Sequence, residues 1–259
     1  MAIPFSFQVN IPFNMLVDTY LDHFMRFGLN PEIGLSADVL DGYSLSEFQR
    51  IADMFHKKEA SITFHGPFMD LSPGSSDQLI REVTIKRFEQ MIQLIPIFNP
   101  ITIVCHAGYD HSRYQFMKDE WQEKALAVWK TVSQEISNNG SRLMLENVYE
   151  SNPDTISFLM KNLTQFNVGV CFDIGHQAVF GQLPLASWLE ELSPYIGQFH
   201  LHDNLGNQDS HFPLGKGSIP LHSIFKWILQ QKKIPVMTLE PHTENDLWTS
   251  IEYLNNYRW

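Results

Sequence analysis

Two cysteines in 259 residues, Cys105 and Cys171, are too few for a secreted scaffold stapled by disulfides. Each lies inside an apolar run, where a buried free thiol is the expectation. No apolar run approaches the ~20 residues that span a bilayer, and the opening Met1 to Phe7 lacks the basic flank and long apolar stretch of a signal peptide. A cytoplasmic location without membrane attachment is therefore expected. Basic residues are scarce as well: 18 Lys and Arg against 29 Asp and Glu leave a net charge of −11 with His neutral. That balance argues against unassisted attraction to a polyanion. A linker, a low-complexity stretch and a glycine-rich dinucleotide fingerprint after the first strand are all missing, which weighs against two domains and against an open nucleotide-binding sheet.

The chain does have core-forming residues, 44% hydrophobic and 13% aromatic, and a length that suits one (β/α)8 barrel. Its most informative feature is a series of short apolar runs that each end in a residue able to bind a metal. They are 61–65 ending in His65, 101–106 ending in His106, 142–146 ending in Glu146, 168–173 ending in Asp173, 196–200 ending in His200, and 235–240 ending in Glu240. Runs of this kind read as strands of a buried parallel sheet, whose carboxyl ends all point one way. Further strands are expected at 5–9 and 31–35. Helical spacing and caps place helices near 15–27, 44–58, 78–95, 120–138, after Pro153, and near 185–192, 221–231 and 245–257. Eight strands, each followed by a helix, predict a single α/β domain over 1–259, a closed (β/α)8 TIM barrel. The six chemical residues would then meet at the end of the barrel where active sites are built.

Two Asp/His pairs add to this ring. Asp173-Ile174-Gly175-His176 places a carboxylate and an imidazole on one turn after a strand, and Asp209-Ser210-His211 repeats the pairing in the long loop 203–220. His, Asp and Glu gathered in this way read as a divalent-metal site. His202 and His242 follow strand ends closely enough to reach it. Lys216, between Gly215 and Gly217, could take a phosphate where glycine lets backbone N–H groups approach. The aromatics Phe13, Phe68, Tyr109, Tyr149 and Phe212 lie near strand ends, where they could wall a sugar pocket or serve as ordinary packing.

The motifs His65-Gly66-Pro67, His106-Ala107-Gly108, Leu145-Glu146-Asn147, Phe172 to His176, His200 to Asn204, Asp209 to His211 and Leu239-Glu240-Pro241 resemble those of the xylose isomerase-like barrels. This superfamily includes sugar and sugar-phosphate isomerases and epimerases and the type IV apurinic endonucleases. The resemblance implies two alternatives. In the epimerases one divalent ion, often Mn²⁺, Co²⁺ or Mg²⁺, is held at positions matching Glu146, Asp173, His200 and Glu240, with the position of His176 facing substrate oxygens. Glu146 and Glu240 would then be the catalytic acid/base pair, and His176, His202 and Lys216 would bind substrate. In the endonucleases three zinc ions use these four positions together with His65, His106, His176, Asp209 and His211, and this chain carries all of them.

Isomerisation or epimerisation of a small sugar, sugar phosphate or polyol acid is the reading preferred here. It needs a base on each face of a carbon beside a carbonyl, and a cation to hold the oxygens. The alternative, phosphodiester hydrolysis at a metal cluster, is favoured by the full ligand set. It is opposed by loops 70–77 and 147–154, which contain no Lys or Arg to grip nucleic acid. A noncatalytic carbohydrate-binding barrel would have no use for both glutamates with all the histidines. The substrate, the number of ions and the formation of a homo-oligomer through the outer helices stay open.

Overall fold

A computed structural model describes residues 3–259 of the chain; Met1 and Ala2 of the opening segment lie outside the described residues. Strands β1 (Phe7–Pro12), β2 (Asn30–Gly34), β3 (Thr63–His65), β4 (Thr102–His106), β5 (Arg142–Glu146), β6 (Gly169–Asp173), β7 (Ile196–Leu201) and β8 (Val236–Leu239) form one closed barrel in sequence order. Every neighbouring pair is parallel, and β1 pairs back to β8. This is the expected TIM barrel. The first strand begins two residues later than the sequence suggests, where Phe7 pairs with Met237 of β8, and ends three residues later, since its pairing with β2 runs on through Pro12 opposite Gly34.

The principal outer helices are α1 (Leu21–Phe27), α2 (Leu45–Lys57), α3 (Gln78–Ile92), α4 (Lys118–Asn138), α5 (Asp154–Leu163), α6 (Leu185–Leu192), α7 (Leu221–Leu229) and α8 (Glu244–Asn256). Local chemistry sets their starts. Ser44 accepts from Glu47 N while Glu47 accepts from Ser44 N, a capping box that opens α2. Asp77 and Thr243 cap α3 and α8 in a one-sided manner. Among the described residues no helix is long and apolar enough to cross a membrane.

The main apolar core lies between the sheet and the helices, where Phe64, Phe172, Phe199, Trp129 and Trp188 are buried. Phe13 belongs to it, packed against Phe48 and edge-on to Tyr43 and Phe98; it therefore does not wall a pocket. Inside the barrel only Val104, Met144 and Cys171 form a small separate apolar cluster. The rest of that interior is polar: Gln8, Glu32, Thr63, Thr102, Gln198 and Thr238 are all buried, where barrels of this class ordinarily stack branched apolar side chains. Both cysteines are buried free thiols.

Candidate metal centre

Side chains alternate across a strand, so residues two apart share a face. Thr63 and His65, Val104 and His106, Met144 and Glu146, Cys171 and Asp173, and Gln198, His200 and His202 thus form inward rows, and the last members of each row meet at the carboxyl end of the barrel. The register keeps them close: His106 lies level with Glu146, and Asp173 with His200. Glu240 follows directly on β8, its N–H still donating to Leu201 O.

Glu146, buried to 1% exposure, is the hub. Its Oε2 lies 3.2 Å from His65 Nε2 and 3.5 Å from His106 Nε2. Its Oε1 lies 3.1 Å from His200 Nδ1 and 3.3 Å from His176 Nδ1. His200 Nδ1 also faces Glu240 Oε1 at 3.1 Å and Asp173 Oδ2 at 3.8 Å. A third group forms where Asp209 Oδ2 lies 3.2 Å from both His176 Nε2 and His211 Nε2. The structure therefore brings His65, His106, Glu146, Asp173, His176, His200, Asp209, His211 and Glu240 into three adjoining donor sets, with Glu146 shared between two of them.

These sets suit divalent ions. Four ligands at about 2.1 Å in tetrahedral order stand about 3.4 Å apart, the spacing seen here. The opposite ring nitrogens are occupied in the way metal-bound histidines require. His65 Nδ1 lies 3.0 Å from Gly66 O, His176 Nδ1 3.0 Å from Asn147 O, and His211 Nδ1 3.3 Å from Glu240 O. A carbonyl only accepts, so Nδ1 carries a proton in each ring, which leaves Nε2, facing a carboxylate of the cluster, as the nitrogen that would ligate once its own proton is displaced. Asp209 Oδ1, Glu240 Oε2 and His202 Nδ1 are buried with no hydrogen-bond partner. Orphaned polar atoms of this kind are expensive unless something polar joins them.

Burial pushes the imidazoles of His65, His176, His200 and His211 down, but neighbouring acidic groups outweigh it, lifting His211 to about 9 and the other three above the ordinary range, so an ion entering here would displace protons. Burial pushes the Glu146 carboxyl up, but the neighbouring His200 and His106 outweigh it and hold it well below the ordinary range. Asp173 is likewise raised by burial yet drawn down to about 2 by His176 and His202. Burial pushes His106 down to about 3, leaving a neutral imidazole able to ligate. Phe68 stacks on that ring at 4.4 Å.

Loops place the remaining groups. Asp173 ends β6 and accepts from His176 N at 2.6 Å, capping a short helix Ile174–Phe180 that the sequence pattern does not separate from its strand. The Asp-x-x-His spacing is thus the first turn of a helix, with Asn147 clamping Asp173 through both its backbone N–H and its carbonyl. His202 Nε2 lies 3.2 Å from Asp173 Oδ2. Its imidazole occupies the space beside Gly175, where an added Cβ would come 1.9 Å from His202 Cε1. His211 holds a left-handed backbone, φ 47°, a strained state for a non-glycine residue. It is fixed there because Phe212 and Asp203 exchange both backbone hydrogen bonds. His202, His211 and His242 stack in turn, with centroids 3.8 and 4.4 Å apart. Parallel rings cannot both direct in-plane lone pairs at one ion, so in this arrangement His211 faces the third set and His202 faces Asp173.

The structure does not bring Lys216 to the cluster. It is exposed and lines an outer groove with Tyr253, Tyr257 and Arg258 of the last helix and the C-terminal residues after it. The reason is Asp203, whose buried carboxylate accepts from Gly215 N, Gly217 N and Ile219 N. The backbone donors expected to receive a phosphate are already taken. Sequence reasoning also missed Glu32, fully buried, whose Oε1 lies 2.9 Å from His200 Nε2, and Glu150, buried in the loop after β5.

Comparison with known proteins places this geometry. The family model described as xylose isomerase-like TIM barrel matches residues 23–257. An uncharacterized protein of Methanocaldococcus jannaschii is 24% identical over 214 residues, covering 80% of this chain and 73% of its own length. A Thermus thermophilus protein, solved after soaking with ZnCl2, superposes with a TM-score of 0.82 at 25% identity over 96% of both chains. A D-tagatose 3-epimerase-like protein superposes at 0.81 with 22% identity over 96% of both.

Proposed function

The chain belongs to the xylose isomerase-like TIM barrel family, and from that premise we propose that it is a divalent-metal-dependent isomerase or epimerase acting on a small sugar or related polyol. The observation that carries this reading is the pair Glu146 and Glu240. They come from strands three apart around the barrel, and both place an oxygen 3.1 Å from His200 Nδ1. A substrate carbon beside a carbonyl, seated between them, would meet one carboxylate on each side. Glu240 Oε2 has no hydrogen-bond partner, so its lone pair is free to take a proton from carbon. Glu146, held ionised by its histidines, is the group to exchange a proton on the other side. A bound divalent ion supplies the positive charge against which a carbonyl oxygen gains negative charge. Glu146, Asp173, His200 and Glu240 would hold it, while His176 orients an oxygen of the substrate.

A free sugar suits the site better than a sugar phosphate. Among the described residues no Lys or Arg pairs with the carboxylates of the cluster, and Lys216 is turned away from it. The D-tagatose 3-epimerase-like neighbour supports the same choice. One observation favours a second reading, phosphodiester hydrolysis: the complete third donor set of His176, Asp209 and His211 exceeds what a one-ion epimerase uses.

The deciding experiment is elemental analysis of protein purified without chelator, followed by reconstitution with Mn²⁺, Co²⁺, Mg²⁺ or Zn²⁺ and assay on a panel of free ketoses. About one ion per chain and turnover of a ketose, abolished in both Glu146→Gln and Glu240→Gln with the fold intact by circular dichroism, is the expected result. Three tightly held zinc ions with cleavage of abasic-site DNA would replace this proposal with the second reading.

A further inference from the structure

Glu32 sits at mid-height in the barrel, fully buried, with His200 above it. Asn10 Nδ2 donates to its Oε1 at 3.1 Å, and Thr63 Oγ1 and Thr238 Oγ1 each donate to its Oε2 at 3.0 Å, with Gln198 Nε2 as a further donor. All four donors are neutral. An ionised carboxylate taken out of water costs several kcal/mol, which neutral donors to both of its oxygens offset only in part. The feature that calls for a carboxylate is His200. Its Nδ1 faces Glu146 and Glu240, while its Nε2 lies 2.9 Å from Glu32 Oε1. That nitrogen is within reach of Glu32 without being aligned on it and has no completed hydrogen bond, although the Cys171 thiol also neighbours the ring; a small turn of the ring would complete the bond to Glu32. His65, His176 and His211 each rest their outer nitrogen on a backbone carbonyl. His200 rests on a charge.

We infer that Glu32 is a positioning residue. It fixes the His200 tautomer with the proton on Nε2, presents Nδ1 as the ligand, and makes that imidazole a stronger donor than its neighbours. The inference rests on the metal-site reading above. An ion held by His200, Glu146, Asp173 and Glu240 would then be the tightest bound of the centre. The network below it is a pedestal for one ligand.

The test is Glu32→Gln, which keeps volume while removing the charge and turning one acceptor oxygen into a donor. Zn²⁺ and Co²⁺ dissociation constants are measured by competition with a chromophoric chelator, alongside the visible spectrum of the Co²⁺ form. The tightest site is expected to weaken about 10- to 100-fold with a changed Co²⁺ spectrum, and Glu32→Asp, which keeps the charge, to recover part of the loss. In Zn²⁺-loaded wild-type protein, long-range ¹H–¹⁵N imidazole spectra are expected to show His200 protonated at Nε2, a readout that needs no variant. Equal affinities in wild type and Glu32→Gln, or a His200 proton on Nδ1, overturn the inference and leave the functional proposal standing. A wild-type chain that takes up no divalent ion ends both.

Discussion

Glu150 offers a prediction whose size follows from its surroundings. The residue is 2% exposed; one carboxyl oxygen accepts from Val148 N at 2.7 Å and the other has no partner. Burial is the main cause that lifts this carboxyl from 4.5 to about 7, against hydrogen bonds from the backbone of Val148 and Glu150 and the nearby His176. The folded chain therefore keeps a proton that the unfolded chain has released. Stability is at its fullest below about pH 4.5 and falls as pH rises toward 7, by about 1.4 kcal/mol for each pH unit in between and about 3 kcal/mol in all. Glu150→Gln is isosteric and cannot ionise, so it should match wild type near pH 4.5 and exceed its stability by about 3 kcal/mol at about pH 8.5. Urea unfolding of both proteins, in chelator across that pH range, measures the difference, and contributions from every other titrating group cancel in it. A difference that stays flat across the range would refute the reasoning.

Gly175→Ala should drive a methyl group into His202, since the added Cβ would lie 1.9 Å from the ring; overpacking of this kind costs about 1–3 kcal/mol, read as a lower melting temperature together with weaker metal uptake. Asp203→Asn replaces an acceptor facing the backbone of loop 215–219 with a donor, and a loss of about 1–3 kcal/mol with faster amide exchange at Gly217 and Ile219 is expected. His65→Ala and His106→Ala each remove a donor from the set built on Glu146 Oε2. If wild type holds more than one ion, bound metal per chain should fall by elemental analysis in both variants, and an unchanged count would remove those two histidines from the centre.

What the sequence made legible was whatever falls at the end of an apolar run. Six of the eight strands and the positions of His65, His106, Glu146, Asp173, His200 and Glu240 follow from that one pattern, because parallel strands share a direction. Glu32 escaped it: the residue lies in the middle of a short strand beside Pro31, and its partners Gln198 and Thr238 are 166 and 206 residues away. Nothing local marks such a network. Lys216 misled for the opposite reason. Gly-Lys-Gly looked like open backbone, but the acceptor that claims its N–H groups is Asp203, a dozen residues earlier. The helix carrying His176 was hidden because the residue that caps it, Asp173, had already been read as the end of a strand.

Asp173 commits Oδ1 to the amide of His176 and turns Oδ2 toward His200 and His202. Its reach is thus set from behind by a backbone atom, so a glutamate could not serve both ends and an asparagine would keep the cap while losing the anion. The start of a helix and the proposed seat of an ion are one mechanical part. Removing an ion held there is therefore expected to loosen Ile174–Phe180 before the outer ring of helices, read as faster amide exchange in that helix alone.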